Sequence, residues 1–180
     1  SFPTRRSSDL RCYDATSGEV LVDGVNVRYR KLHDLRKNIG VAMQDVLLWS
    51  DTIEGNIAFY DSDMSLDEVK KYAKLADADE FASKLSEGYD TIVGERGVGL
   101  SGGQKQRISL ARALAMQPAI LILDDTTSAV DTETERQIQH NLKNLDFSCT
   151  KLIIAQRTSS AKNADRIMII KDGKVAQFGT

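Results

Sequence analysis

Apolar residues follow two rhythms in this chain, and the switches between them mark its elements. EVLVDGVNV, residues 19 to 27, alternates about Asp23 and Gly24; a period of two broken by Asp-Gly predicts a β-hairpin. LHDLRKN (32–38) fits a short helix and IGVAM (39–43) a strand. From Ser65 the period lengthens. Leu66, Val69, Ala73 and Ala76 recur every three or four residues, and Ser65 with Glu68 has the spacing of a capping box. Phe81 and Leu85 continue an apolar face after a break. GYDTIVGERGVGLSGGQ (88–104) holds six glycines in seventeen residues and predicts loop throughout. Ile108, Ala111 and Ala115 then set a helix over 105–116, which Pro118 stops.

ILIL (120–123) is unbroken apolar, as a strand covered on both faces of a parallel sheet reads. A helix follows Asp131, carried by Ile138, Leu142 and Leu145. LIIA (152–155) and RIMII (166–170) predict two further buried strands, and Asp172-Gly173 turns the chain into a closing edge strand, KVAQF. Strands alternating with helices imply an α/β domain. Residues 56–115 contribute almost no strand and predict a helical lobe inserted into a core made from 11–55 and 116–180.

Composition narrows the field. The net charge of -2, with 28% charged and 41% hydrophobic residues, is ordinary for a globular chain. Lys and Arg (24) do not outnumber Asp and Glu (26), which argues against a nucleic-acid partner. Cys12 and Cys149 are too far apart in sequence to read as a metal pattern and too few for a disulfide framework. No apolar run approaches the ~18 to 20 residues of a membrane span. SFPTRRSSDL (1–10) has no periodicity and resembles a translated sequencing-adapter oligonucleotide, so it is set aside as artefact or disordered tail.

Candidate chemistry gathers in three places. Asp124 ends a buried strand, at the sheet edge where open α/β folds bind ligands; it suits a magnesium ion held with phosphate oxygens, or it is a plain helix cap. Gln44 ends strand IGVAM and is either a ligand or a structural amide. In LSGGQKQR, Ser101, Gly102 and Gly103 lead into a helix, and free N–H groups at a positive dipole end make a phosphate cradle. The competing reading there is a glycine turn.

Order and spacing together resemble the nucleotide-binding domain of ABC transporters. LSGGQ (100–104) resembles the signature motif, ILILDD Walker B, SAVD (128–131) the D-loop, Gln44 the Q-loop, and AQR (155–157) lies beside NADRIMIIKDGKVAQFGT as in the family. The resemblance covers residues 11–180. YDATSG (13–18), TIEGNI (52–57) and VGERG (93–97), the last similar to an X-loop, resemble the exporter branch. It implies a RecA-like P-loop NTPase fold with an inserted α-helical subdomain and an antiparallel hairpin, and ATP with Mg2+ as cofactors. Asp124 and Gln44 would serve the metal, and Ser101, Gly102, Gly103 and Gln104 the nucleotide of a partner domain. Glu95, Ser128 and Asp131 would lie at interfaces. The implied partners are a second nucleotide-binding domain and the coupling helices of a transmembrane domain, at the cytoplasmic face of a membrane, in a prokaryote the plasma membrane.

Three departures qualify this. No GxxxxGK(S/T) occurs; the family places it just before Arg11, so the chain is expected to be a truncated domain, inactive alone. The family's catalytic Glu is Asp125, and its switch histidine is Gln156. Asp is one methylene shorter, about 1 Å of reach, and misplacement of that order can cost around 10²-fold. Gln156 can hydrogen-bond a phosphate but cannot carry a proton. Both changes resemble the degenerate half of a heterodimeric exporter, which binds ATP at its own site and lends LSGGQ to a competent partner. The alternative is a competent domain of a homodimeric exporter. An importer subunit, a chromosome-maintenance ATPase, which would need long coiled-coil insertions, and a non-catalytic module fit less well. Multidrug, lipid and peptide export stay open.

Overall fold

A computed structural model describes residues 11, 14–94, 99–155 and 161–180. Strands β1 (Leu21–Val22) and β2 (Val25–Asn26) form the expected hairpin, with Val22 opposite Val25. Asp23 and Gly24 both take positive φ, 51° and 71°, as a two-residue turn matched to the strand twist requires. A 3-10 turn (Val27–Tyr29) and helix α1 (Leu32–Arg36) lead to β3 (Ile39–Ala42). β4 (Asp51–Thr52) opens the helical lobe: α2 (Ile53–Ile57), α3 (Leu66–Leu75), α4 (Asp79–Ser83), β5 (Ile92–Val93) and α5 (Gly102–Ala115). Then come β6 (Ile120–Asp124), α6 (Thr132–Lys143), β7 (Thr150–Ile154), β8 (Ile167–Lys171) and β9 (Lys174–Gly179).

The central sheet is parallel, ordered β3-β6-β7, with Ala42 level with Leu123 and Asp124 level with Ile154. Successive β6 side chains point to opposite faces. Leu121 and Leu123 enter a large cluster with α2 to α6, including Ile53, Ile57, Val69, Ile108, Leu114 and Ile138. Ile122 enters a smaller cluster with Val27, Leu35 and Ile39. The unbroken apolar run is therefore explained: the helical lobe covers one face and the hairpin with α1 the other.

Two expectations need correction. The glycine-rich stretch is not loop throughout. It contains a 3-10 turn (Gly88–Asp90), and β5 pairs antiparallel with β4, Asp51 opposite Val93. Helix α5 also begins at Gly102, ahead of the expected 105, because Ser101 and Gln104 cap it reciprocally. RIMII, in turn, is not a third buried strand of the sheet. β8 pairs with β9 in a hairpin about Asp172 and Gly173, and Ile169 and Ile170 are about half exposed. The local partner three residues away closes at lower entropic cost than a distant strand. β7, expected to be buried, is half exposed, since among the described residues it stands at the sheet's outer edge.

Candidate functional site

The first turn of α5 is built by its own sequence. Ser101 is extended (φ -63°, ψ 159°), its hydroxyl accepts from the Gln104 N–H (3.3 Å), and Gln104 Oε1 accepts from the Ser101 N–H (2.9 Å). The spacing S-x-x-Q was the readable signal for this capping box. Both polar side chains are turned onto the backbone, while the helix's first N–H groups have no intrahelical partner and suit an anion. The two glycines differ in duty. A Cβ on exposed Gly102 would meet only Ala129 Cβ, at 3.6 Å. A Cβ on buried Gly103 would stand 2.7 Å from the Ala129 carbonyl oxygen, so its bare α-carbon lets α5 lie against the turn after β6.

That turn, residues 125–131, is held partly by its own bonds and partly by its surroundings. Asp124 is buried (6% exposed) at the end of β6. Asp125 adopts φ +49°, a region uncommon for residues other than glycine, though Asp and Asn enter it more readily than most. Its N–H donates to Ile154 O (2.8 Å), and its carbonyl accepts from the Ser128 N–H (3.2 Å) and hydroxyl (2.9 Å). Asp131 caps α6, accepting from the N–H groups of Glu133 (3.1 Å) and Thr134 (3.0 Å) and from the Thr134 hydroxyl (2.9 Å). The bonds from Thr134, backbone first, hold its carboxyl below the usual carboxylate range.

The two turns share one side of an open groove of about 550 Å³, lined by Gln44, Asp45, Val46, Leu47, Gly102, Lys105, Gln106, Ser128 and Ala129. Gln106 joins them. It is buried (5% exposed), donates Nε2–H to Ser128 Oγ (3.2 Å) and accepts from the Ala129 N–H at Oε1 (3.2 Å). Gln44 follows β3 and Asp124 ends β6, so both stand at the carboxyl edge of adjacent parallel strands. A carboxylate and an amide oxygen are the hard donors that Mg2+ takes, and this donor set fits that ion.

Of the residues singled out in the sequence, Gln44, Gly102 and Ser128 border the groove. Ser101 and Gln104 form the cap beside it, and Gly103 packs beneath it. Asp125 is tied to it through Ser128, Asp124 precedes Asp125 at the buried end of β6, and Asp131 closes the turn as a helix cap. Glu95 and Gln156 lie outside the described residues. Three groups escaped the sequence reading: Gln106, Asn56 and Arg112. Asn56 is fully buried, and its amide bonds both backbone groups of Trp49 at 3.0 Å. Arg112 reaches from α5 to Asn56 O (2.7 Å) and Leu47 O (3.0 Å), and burial lowers its pKa. The arginine fixes the strip after Gln44, where Trp49 stacks on Phe59 (5.4 Å between centroids) and Leu47 and Tyr60 are 64% and 62% exposed. Arg112 carries no local spacing signal, because its partners are 56 and 65 residues away, while Asn56 bonds Trp49, Asp51 and Thr52 within seven residues.

A family model described as ABC transporter matches residues 10–128, more than half of the chain. The chain belongs to the ABC transporter family. It is 47% identical over 171 residues to the ATP-dependent lipid A-core flippase of Pasteurella multocida (strain Pm70), covering 94% of this chain and 29% of that protein. It is 45% identical over 170 residues to ABC transporter B family member 15 of Arabidopsis thaliana, covering 94% of this chain and 14% of that protein. Among solved structures, a bacterial Atm1-family ABC exporter with ATP bound superposes with a TM-score of 0.93 at 38% identity, over 97% of this chain and 31% of that one. The chain thus spans less than a third of the length of these relatives. As an ABC transporter ATP-binding domain it has the RecA-like P-loop fold: a parallel core sheet, an inserted helical subdomain and antiparallel hairpins. Among the described residues no helix is long and apolar enough to cross a membrane.

Proposed function

We propose that this chain is the ATP-hydrolysing domain of an ABC exporter, one of two such domains that close on two ATP molecules at the cytoplasmic face of a membrane, in a prokaryote the plasma membrane. One observation carries it: the capped LSGGQ turn, Gln44 and the Ser128 turn border a single groove. On this reading Asp124 and Gln44 serve Mg2+, Asp125 orients the attacking water, and Gln156 contacts the γ-phosphate. Ser101, Gly102, Gly103 and Gln104 face the partner domain's ATP, with Ser128 and Asp131 at the interface between the domains. Glu95 and the exposed aromatic strip around Trp49 and Phe59 meet the transmembrane domain. The likeness to an Atm1-family exporter with ATP bound supports a hydrolytically competent site in a pair of identical subunits. Likeness to a lipid A-core flippase supports an amphiphilic lipid among candidate substrates.

A second reading, an ATP-retaining half of a heterodimer, draws on Asp125 and Gln156, whose side chains are respectively shorter and less basic than the family's Glu and His. Counting ATP hydrolysed per domain pair in a single turnover separates the two. The competent reading expects two per pair in the unmodified exporter, and Asp125→Asn should abolish both. One per pair, with the second ATP retained intact, would replace it by the heterodimer reading. In that case Asp125→Glu with Gln156→His should raise the count to two.

A further inference from the structure

We propose that Gln106 is a positioning residue for hydrolysis, clamping the turn that carries Asp125 to the helix that carries LSGGQ so that the two shift as one body. The inference rests on the proposed function. Its starting point is an oddity of burial: the site could be filled by Met or Leu, yet it holds an amide at 5% exposure. A buried amide is costly unless both ends are bonded. Here both are, and in one orientation only. The Ala129 N–H can only donate, so Oε1 must face it, which turns Nε2 toward Ser128 Oγ.

The contact does not stop at Ser128. Its hydroxyl passes the proton-donor role onward to the Asp125 carbonyl at 2.9 Å, and that residue's backbone stands at φ +49°. A chain of side-chain bonds therefore runs from the second turn of α5 to the backbone at the candidate water-orienting residue. Gly103 removes the slack, since its α-carbon lies against Ala129 O and Val130 Cγ1 with no room for a Cβ (2.7 and 3.2 Å). Helix and turn touch by a bare glycine at one level and by a two-pronged amide one turn further on. In a closed pair of domains, α5 presents its N-terminus to the partner's ATP while residue 125 serves its own. The clamp makes engagement of one nucleotide shift the residue acting on the other.

Two variants test this. Gln106→Met keeps the length and removes both polar ends; Gln106→Glu keeps the acceptor for the Ala129 N–H. In amide hydrogen exchange on the chain, Gln106→Met should speed Ser128, Ala129 and Val130 by roughly tenfold, leaving β6 and the body of α5 unchanged. In steady-state ATPase assays of the assembled exporter, kcat per ATP bound should fall roughly tenfold, with KM for ATP within about twofold. Gln106→Glu, which keeps the acceptor for the Ala129 N–H but as a carboxylate has no donor for Ser128 Oγ, should slow exchange at Ala129 again without restoring kcat. Unchanged exchange in residues 128–130 overturns the clamp. So does a parallel rise of KM, or a loss of kcat in Gln106→Met that merely tracks a lower Tm. An unmodified exporter that hydrolyses no ATP would instead overturn the proposed function, and the exchange comparison would then decide the clamp alone.

Discussion

The first turn of α5 and the turn after β6 face the same groove, yet only the second also relies on remote contacts. LSGGQ is nearly self-sufficient: Ser101 and Gln104 satisfy each other's backbone three residues apart. Residues 125–131 have local bonds too, from Ser128 to Asp125 and at the Asp131 cap, but they also depend on Ile154 and on Gln106 of another helix. A phosphate-facing turn that is preformed can engage a ligand without reorganising. A turn held by remote contacts moves when those contacts move, which suits a segment that must respond to a partner.

The contrast is broken most severely at Gly103. Gly103→Val should destabilise the chain by about 2 to 3 kcal/mol in denaturant unfolding, because the nearest obstacles are a backbone carbonyl and a packed Val130. Gly102→Ala, with its nearest neighbour at 3.6 Å, should leave stability nearly unchanged. Equal losses at the two positions would mean that α5 and the 125–131 turn are not in the contact described. A smaller effect is expected at the cap. Ser101→Ala should cost about 1 kcal/mol and leave exchange in residues 125–131 unaltered, since the cap is local.

The smallest effect sharpens the comparison through pH. The Asp131 carboxyl is held below its ordinary pKa of 3.8, so its contribution is fully present above that value. It is lost as pH falls through the lower folded-state pKa. Asp131→Asn keeps a capping side chain without a titration, so its Tm should drop less between pH 6 and pH 3 than that of the unmodified chain. The start of α5 has no titratable cap and should show no such difference between Ser101→Ala and its parent. An identical acid sensitivity in Asp131→Asn would remove Asp131 as its source.

Much of this is legible in the sequence. The hairpin at Asp23-Gly24, the helix capped by Ser65 and Glu68, and the buried strand ending at Asp124 each arise from neighbours within a few residues. Part of the site was readable for the same reason, since LSGGQ, ILILDD and SAVD are contiguous strings. The start of α5 at Gly102 is set by an equally local feature, the Ser101–Gln104 capping box, which the glycine content of residues 88–104 masks. Gln106, Asn56 and Arg112 were not readable. Gln106 and Arg112 meet partners 22 and 56 residues away, and Asn56, though it bonds within seven residues, does so to backbone groups, which leave no mark in the string of side chains.

Local chemistry, then, accounts for which segments become helix, strand or turn in this chain, because caps, turns and apolar periodicity act through the few residues on either side. Tertiary packing settled the rest. β7 stands half exposed at the sheet's outer edge among the described residues, the two glycines of LSGGQ divide their duties, and Asp125 sits at φ +49°. Each of these depends on what lies across a contact: the strands beside β7, the carbonyl of Ala129 over Gly103, and the Ile154 carbonyl that accepts from the Asp125 N–H. A one-dimensional pattern records a residue's appetite for burial or for a hydrogen bond. Which atom satisfies it is a property of the folded arrangement, since partners distant in sequence meet only once the chain has closed the loops between them.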